Sequence, residues 1–123
     1  MFIVLSASSP DPMYKQVTDQ IKNAIASADL KPGDKLPSIR ELSEALKISA
    51  ITIKRAYLDL ENEGYILTRA GLGSFVSEID RTRLRNEKLG EFRAALTGIL
   101  NTGAKFGVKA DDLVQLIREI QED

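Results

Sequence analysis

The sequence contains no cysteine and no histidine. Without cysteine there is no disulfide framework, no thiolate zinc site and no cysteine nucleophile. Without histidine the commonest metal ligand and the commonest general base near neutral pH are both missing. Carboxylates remain, but they are scattered singly or along helix faces, so a small enzyme is a poor reading and no cofactor is expected. Long apolar runs are missing too. Met1-Phe2-Ile3-Val4-Leu5 is too short for a signal-peptide core and carries no positive flank. No later stretch approaches the roughly twenty apolar residues of a membrane span. The expected location is the cytoplasm, with no membrane partner.

What is present is a globular composition: 123 residues, 43% hydrophobic and 28% charged. A chain of this length buries only roughly two-thirds of its unfolded surface, so a partner subunit would help it. The net charge of −1 by itself argues mildly against nucleic acid, but its distribution is uneven. Between Ala45 and Leu58 the charged residues are Lys47, Lys54 and Arg55, and acids resume only at Asp59, Glu61 and Glu63. A helix over this stretch has a positive end and a negative end.

Residues 2–5 read as a short strand. Asp11-Pro12 reads as a helix start, with Asp as N-cap and Pro at the first helical position. Tyr14, Val17, Ile21, Ala24, Ile25 and Ala28 then form one apolar stripe at spacings of three and four. Lys31-Pro32-Gly33-Asp34 stops this helix, and Lys35-Leu36 leaves room for a very short strand. Ser38-Ile39-Arg40-Glu41 is a capping box opening a second helix to Leu46, with Ile39, Leu42, Ala45 and Leu46 inward. Ser49 is the next N-cap, for a third helix to Glu63 that faces inward through Ile53, Ala56, Tyr57 and Leu60 and stops at Gly64.

Two helices joined by so short a turn form a helix-turn-helix. Tyr65-Ile66-Leu67-Thr68-Arg69 and Ser74-Phe75-Val76-Ser77, separated by Ala70-Gly71-Leu72-Gly73, form a β-hairpin. The expected fold is therefore mainly α with a small hairpin: a winged helix-turn-helix over residues 1–78. Residues 79–123 are helix alone, and form the dimerisation segment. Its first helix carries Leu84, Leu89, Phe92, Leu96, Ile99 and Leu100, with Gly103 and Gly107 as interruptions. The second, from Ala110, carries Leu113, Leu116, Ile117 and Ile120. Two amphipathic helices cannot bury both stripes alone, so they cover the winged helix or meet another chain.

In a helix-turn-helix the second helix lies in the major groove and its N-terminal residues reach base edges. Here those are Ser49, Ala50, Ile51, Thr52, Lys54 and Arg55. Ser49 serves as cap or as contact. Ile51 lies off the inner face, and either meets a thymine methyl or packs on the second helix. Arg40 either binds phosphate or guanine or pairs with Glu44 four residues on. Gly71 permits backbone approach to a sugar–phosphate wall and Arg69 reaches the minor groove, although turn geometry alone also accounts for the glycine.

Leu36-Pro37-Ser38-Ile39-Arg40-Glu41-Leu42-Ser43, Ile53-Lys54-Arg55-Ala56-Tyr57, Leu60-Glu61 with Glu63-Gly64-Tyr65-Ile66, and Thr68 to Val76 together resemble the GntR family of bacterial regulators. The likeness covers about residues 10–77. The N-terminal strand and short two-helix tail are similar to its YtrA-like subfamily. The resemblance implies a homodimer on an inverted-repeat operator in double-stranded DNA, usually as a repressor. By position it makes Ser38 and Arg40 DNA contacts, places Ser49, Thr52 and Lys54 on the recognition helix, and makes Gly71 the wing-tip glycine. Ala50, Ile51, Ala70 and Leu72 depart from the polar or basic residues common there. Some relatives fuse the module to an aminotransferase-like domain, for which this chain has no room, so no pyridoxal phosphate chemistry is expected. The rival reading is a winged helix for protein contact without DNA. A further one adds a small-molecule effector of unknown identity between the tail helices.

Overall fold

The computed structural model describes residues 3–79 and 81–123. It divides into two compact units, Met1–Ile79 and Asp80–Asp123.

In the first unit, α1 (Met13–Ala26) packs on α3 (Ala50–Asn62), with α2 (Ile39–Leu46) against α3 and a hairpin of β1 (Ile66–Arg69) and β2 (Gly73–Val76) beside it. The core is the predicted stripe of α1 against the predicted inner face of α3: Val17, Ile21, Ile53, Ala56 and Leu60 have no exposure at all. At roughly 1.5–3 kcal/mol for each large side chain fully buried, this interface dominates the stability of the unit.

Several local expectations are corrected. Residues 3–5 form no strand; Met1 and Phe2 lie outside the described residues. Side chains of α1 take the place of a neighbouring strand. Gln20 accepts from the Val4 amide (2.9 Å) and donates to its carbonyl (2.8 Å), and Gln16 does the same for Ser6 (2.9 and 3.1 Å). An apolar run cannot distinguish a real ladder from one supplied by carboxamides. At the start of α1 the cap is Pro12, not Asp11: the Pro12 carbonyl accepts from the amides of Lys15 and Gln16, both at 3.1 Å. The Asp11 carboxylate instead lies 3.6 Å from Lys15 Nζ. The helix ends at Ala26, ahead of the Lys31–Asp34 stop, because the chain turns to bury Leu30.

The Lys35-Leu36 strand is present in minimal form. Lys35 bridges Phe75, Leu36 donates to Ser74 (2.9 Å), and Val76 donates to Asp34 (2.8 Å), so the segment lies along β2 as a third short strand. The capping box of α2 forms in full: Ser38 Oγ accepts from the Glu41 amide (3.0 Å) and Glu41 accepts from the Ser38 amide (3.4 Å). Ala45, expected inward, is exposed; a helix this short touches α3 through Leu42, flanked by half-buried Ile39 and Leu46. The turn to α3 has Lys47 at φ +56° and is closed by Ser43 Oγ donating to the Ile48 carbonyl at 2.6 Å.

The second unit is a helical hairpin of α4 (Arg81–Lys105) and α5 (Ala110–Glu122). Gly103 does not interrupt α4 but sits in its last turn. A Cβ there would stand 3.3 Å from the Val108 carbonyl oxygen, so glycine lets the chain fold back closely. Gly107, at φ +74°, makes the turn. Asp112 accepts from the Lys109 amide (2.8 Å), and Asp111 and Asp112 occupy the first turn of α5, favourable for the helix dipole. No described residue of α4 or α5 is buried. Leu84 and Leu113 are half-buried, while Leu89, Phe92, Leu96, Ile99, Leu100, Leu116, Ile117 and Ile120 are exposed. Among the described residues, no helix is long and apolar enough to cross a membrane.

Candidate nucleic-acid interface

The front of α3 is what the core leaves over. Burying Ile53, Ala56, Tyr57 and Leu60 turns Ala50, Ile51, Lys54 and Leu58 outward. Ile51 is 80% exposed, which removes the alternative that it packs on α2. Lys54 forms no ion pair among the described residues. Ser49 is the N-cap: its Oγ accepts from the Thr52 amide (3.2 Å) and lies 3.0 Å from Thr52 Oγ1. The helix thus has no use of its own for the amides of Ala50 and Ile51, its first donors.

Arg55 departs from this front. Its guanidinium carbon lies 3.7 Å from the centre of the Tyr14 ring on α1, a stacked cation–π contact rather than a free arm beside Lys54. Arg40 pairs with Glu44 through Nε at 3.1 Å, both side chains largely exposed. An exposed pair of this kind is worth about 0–1 kcal/mol. It engages one of five guanidinium donors, so it does not compete seriously with a phosphate.

A residue read only as core proves to set the motif's geometry. Tyr57 donates its hydroxyl to the Pro37 carbonyl at 2.6 Å, fixing the chain just before the α2 cap to the back of α3. The signal was available, since a tyrosine on an aliphatic face needs a partner for its hydroxyl. Burial, and after it the Glu41 charge, pushes the Tyr57 phenol well above its usual value of 10.0. The unfolded chain therefore loses this proton first, and the stability from Tyr57 is complete below pH 10 and falls as pH rises beyond it. Chemical denaturation should show that Tyr57→Phe costs about 1–2 kcal/mol at neutral pH. The gap between variant and wild type should narrow above pH 10.

At the wing, Leu72 donates to the Arg69 carbonyl (3.0 Å) with Gly71 at φ +75°, a type II turn geometry that calls for glycine at this position. A Cβ on Gly71 would meet nothing, so backbone conformation and not crowding sets the requirement within the chain. Arg69 is exposed on β1. Thr68 Oγ1 donates to Glu61 on α3 (3.2 Å) and lies 3.2 Å from Ser74 Oγ, and Ser77 bonds the Gly64 carbonyl. The wing is thereby tied to α3.

This arrangement of helices, turn and wing coincides with known proteins. Residues 13–76 match the family described as bacterial regulatory proteins, gntR family. The chain belongs to the GntR family. It is 35% identical to the HTH-type transcriptional repressor YtrA of Bacillus subtilis, over 98% of this chain and 93% of that one. The solved structure of a transcriptional regulator from Oenococcus oeni superposes with a TM-score of 0.77 at 30% identity, over 98% of this chain and 99% of the other. AraR(DBD) in complex with operator ORX1 matches with a TM-score of 0.56 at 28% identity, over 63% of this chain and 96% of that one. This GntR-family chain is a DNA-binding transcription regulator built on a winged helix-turn-helix, and the likeness to YtrA extends through its tail.

Proposed function

We propose that the protein is a cytoplasmic, homodimeric repressor that places two copies of α3 in successive major grooves of an inverted-repeat operator. The observation that carries the DNA reading is the front of α3, where exposed Ile51 and unpaired Lys54 stand beside the capped helix start. Ile51 meets a thymine methyl, Lys54 a phosphate or guanine, and Thr52 the backbone or a base edge, while Ser49 caps the helix that presents them. Arg40, with Ser38 at the α2 cap, holds a flanking phosphate, and the Gly71 tip with Arg69 lies along the minor groove. Arg55, held on Tyr14, works from the edge of this surface. Ala50 is small enough for close approach of the helix backbone.

The dimer reading rests on the second unit. A helical hairpin with no buried residue has no core until its apolar stripes meet those of another copy. Pairing through α4 and α5 sets the spacing of the two heads, and half-sites lie about one helical turn apart. An effector that binds one arrangement of the heads better than the other would release the operator.

Selection of bound duplexes from a random library tests the function. An inverted repeat should emerge, and Arg40→Ala should weaken its binding by about 1–3 kcal/mol. Failure of any sequence to enrich would replace this reading with a protein-interaction module.

A further inference from the structure

The wing has an outer face that neither the recognition helix nor the turn at Gly71 accounts for. In the hairpin register Leu67 pairs with Phe75 and Arg69 with Gly73. Paired residues share a face of the sheet, and the other face, with Ile66 and Val76, is in the core. Lys35 bridges Phe75, so its side chain belongs to the outer face as well. From there it runs across the sheet: its Cε lies 3.0 Å, and its Nζ 3.8 Å, from where a Cβ on Gly73 would stand. Gly73 is at φ +119°, a conformation for glycine, and its bare position is the opening through which the Lys35 ammonium approaches the strand position opposite Arg69.

Both cations are exposed, and neither pairs with a carboxylate among the described residues. Of the acids nearby, Asp34 has a carboxylate oxygen on the Lys31 amide (2.8 Å), and Glu78, which lines the same cleft as Arg69, Leu67 and Phe75, makes no ion pair with either cation. Two like charges on one face of the sheet, the Lys35 ammonium near Gly73 and Arg69 on the strand position opposite it, repel each other. They gain when an anion lies against both.

We infer that Lys35 and Arg69 form a two-cation clamp on the outer face of the wing for the backbone phosphates that wall the minor groove along which the Gly71 tip lies, with Lys35 a DNA contact outside the helix-turn-helix. The strand segment holding Lys35 runs directly into Pro37 and the α2 cap, so one stretch of chain presents both Lys35 and Arg40. Phosphate contacts fix register and carry no sequence information. The clamp therefore adds affinity evenly over all operators and leaves base preference to α3.

The inference rests on the DNA-binding reading, and the test separates the two. Anisotropy of a selected operator duplex is followed against salt for the full chain and for Lys35→Gln, Arg69→Gln, Lys35→Arg and Lys54→Ala. Each neutralised phosphate contributes about 0.9 to the slope of log K against log salt. In a dimer each substitution removes two phosphate contacts, so Lys35→Gln and Arg69→Gln should each lower the slope by about 2 and weaken binding by roughly 50–100-fold near 0.1 M salt. Lys35→Arg should restore both. Melting temperature, dimer mass and ranking among operator variants should not change, since a merely structural lysine would alter melting and not slope. An unchanged slope for Lys35→Gln, with Lys54→Ala lowering it, overturns the clamp and leaves the DNA reading standing. A flat slope for the wild type removes the DNA reading and the clamp with it.

Discussion

Replacing Leu96 and Ile99 together by lysine should give a protein that sediments as a monomer and binds a full operator at least ~100-fold more weakly than the wild type. The two residues lie on the outward stripe of α4 with Leu89 and Phe92, at spacings of three and four, and are 46% and 50% exposed in the single chain. Exposed apolar surface on that scale, in a helix with no buried residue, is what the proposed pairing of two copies would cover. Joining two heads makes the second half-site encounter intramolecular, with an effective concentration in the millimolar range for short connections, which raises avidity by about 10²–10⁴. Separating the heads forfeits that factor without touching a DNA contact. The core of the first unit contains no residue of α4, so its thermal unfolding should survive the change. A variant that stays dimeric by analytical ultracentrifugation would contradict the assignment of the tail.

The second large effect divides one residue type between two roles. Ile51 and Ile53 lie two positions apart on α3, the first 80% exposed and the second 0% exposed. Ile53→Ala leaves a cavity in the core where α3 packs on α1 and should cost about 2–5 kcal/mol. That is a large share of the roughly 5–15 kcal/mol available to a small domain, so the melting temperature should fall by about 10 °C or more. Ile51→Ala should leave the melting temperature within a degree or two and should weaken the operator by about 1–3 kcal/mol where a thymine methyl faces the helix. Measured side by side by calorimetry and anisotropy, the two should exchange places. Loss of stability in Ile51→Ala would mean that it packs where the structure leaves it exposed.

The pattern of elements was legible in the sequence because each depends on local chemistry: the Ser38–Glu41 box, the Ser49 cap, the stripe on α1, the glycines of the hairpin. Errors gathered where a local sequence rule met a tertiary contact. The N-terminal run has the composition of a strand, but its ladder is made by Gln16 and Gln20, and nothing in periodicity announces side chains acting as a strand. Ala45 followed the stripe of α2 but lies beyond its narrow contact with α3. Gly103 looked like a break, and its glycine instead serves the close return of the chain at Val108.

The candidate site divides the same way. Positions on α3 follow from the inner face by subtraction, so Ile51 and Lys54 could be named in advance. The stacking of Arg55 on Tyr14 and the reach of Lys35 across Gly73 join residues far apart in sequence, and only the fold brings them together.

The central claim, that the front of this winged helix holds DNA through its phosphates and bases, is tested most directly by the salt dependence of binding to a selected duplex and to a scrambled one. Log K should fall steeply with log salt for both, by about 0.9 for each phosphate neutralised, with the selected duplex bound about 10³-fold or more tighter at every salt concentration. Binding that ignores salt, or that fails to distinguish the two duplexes, would contradict it.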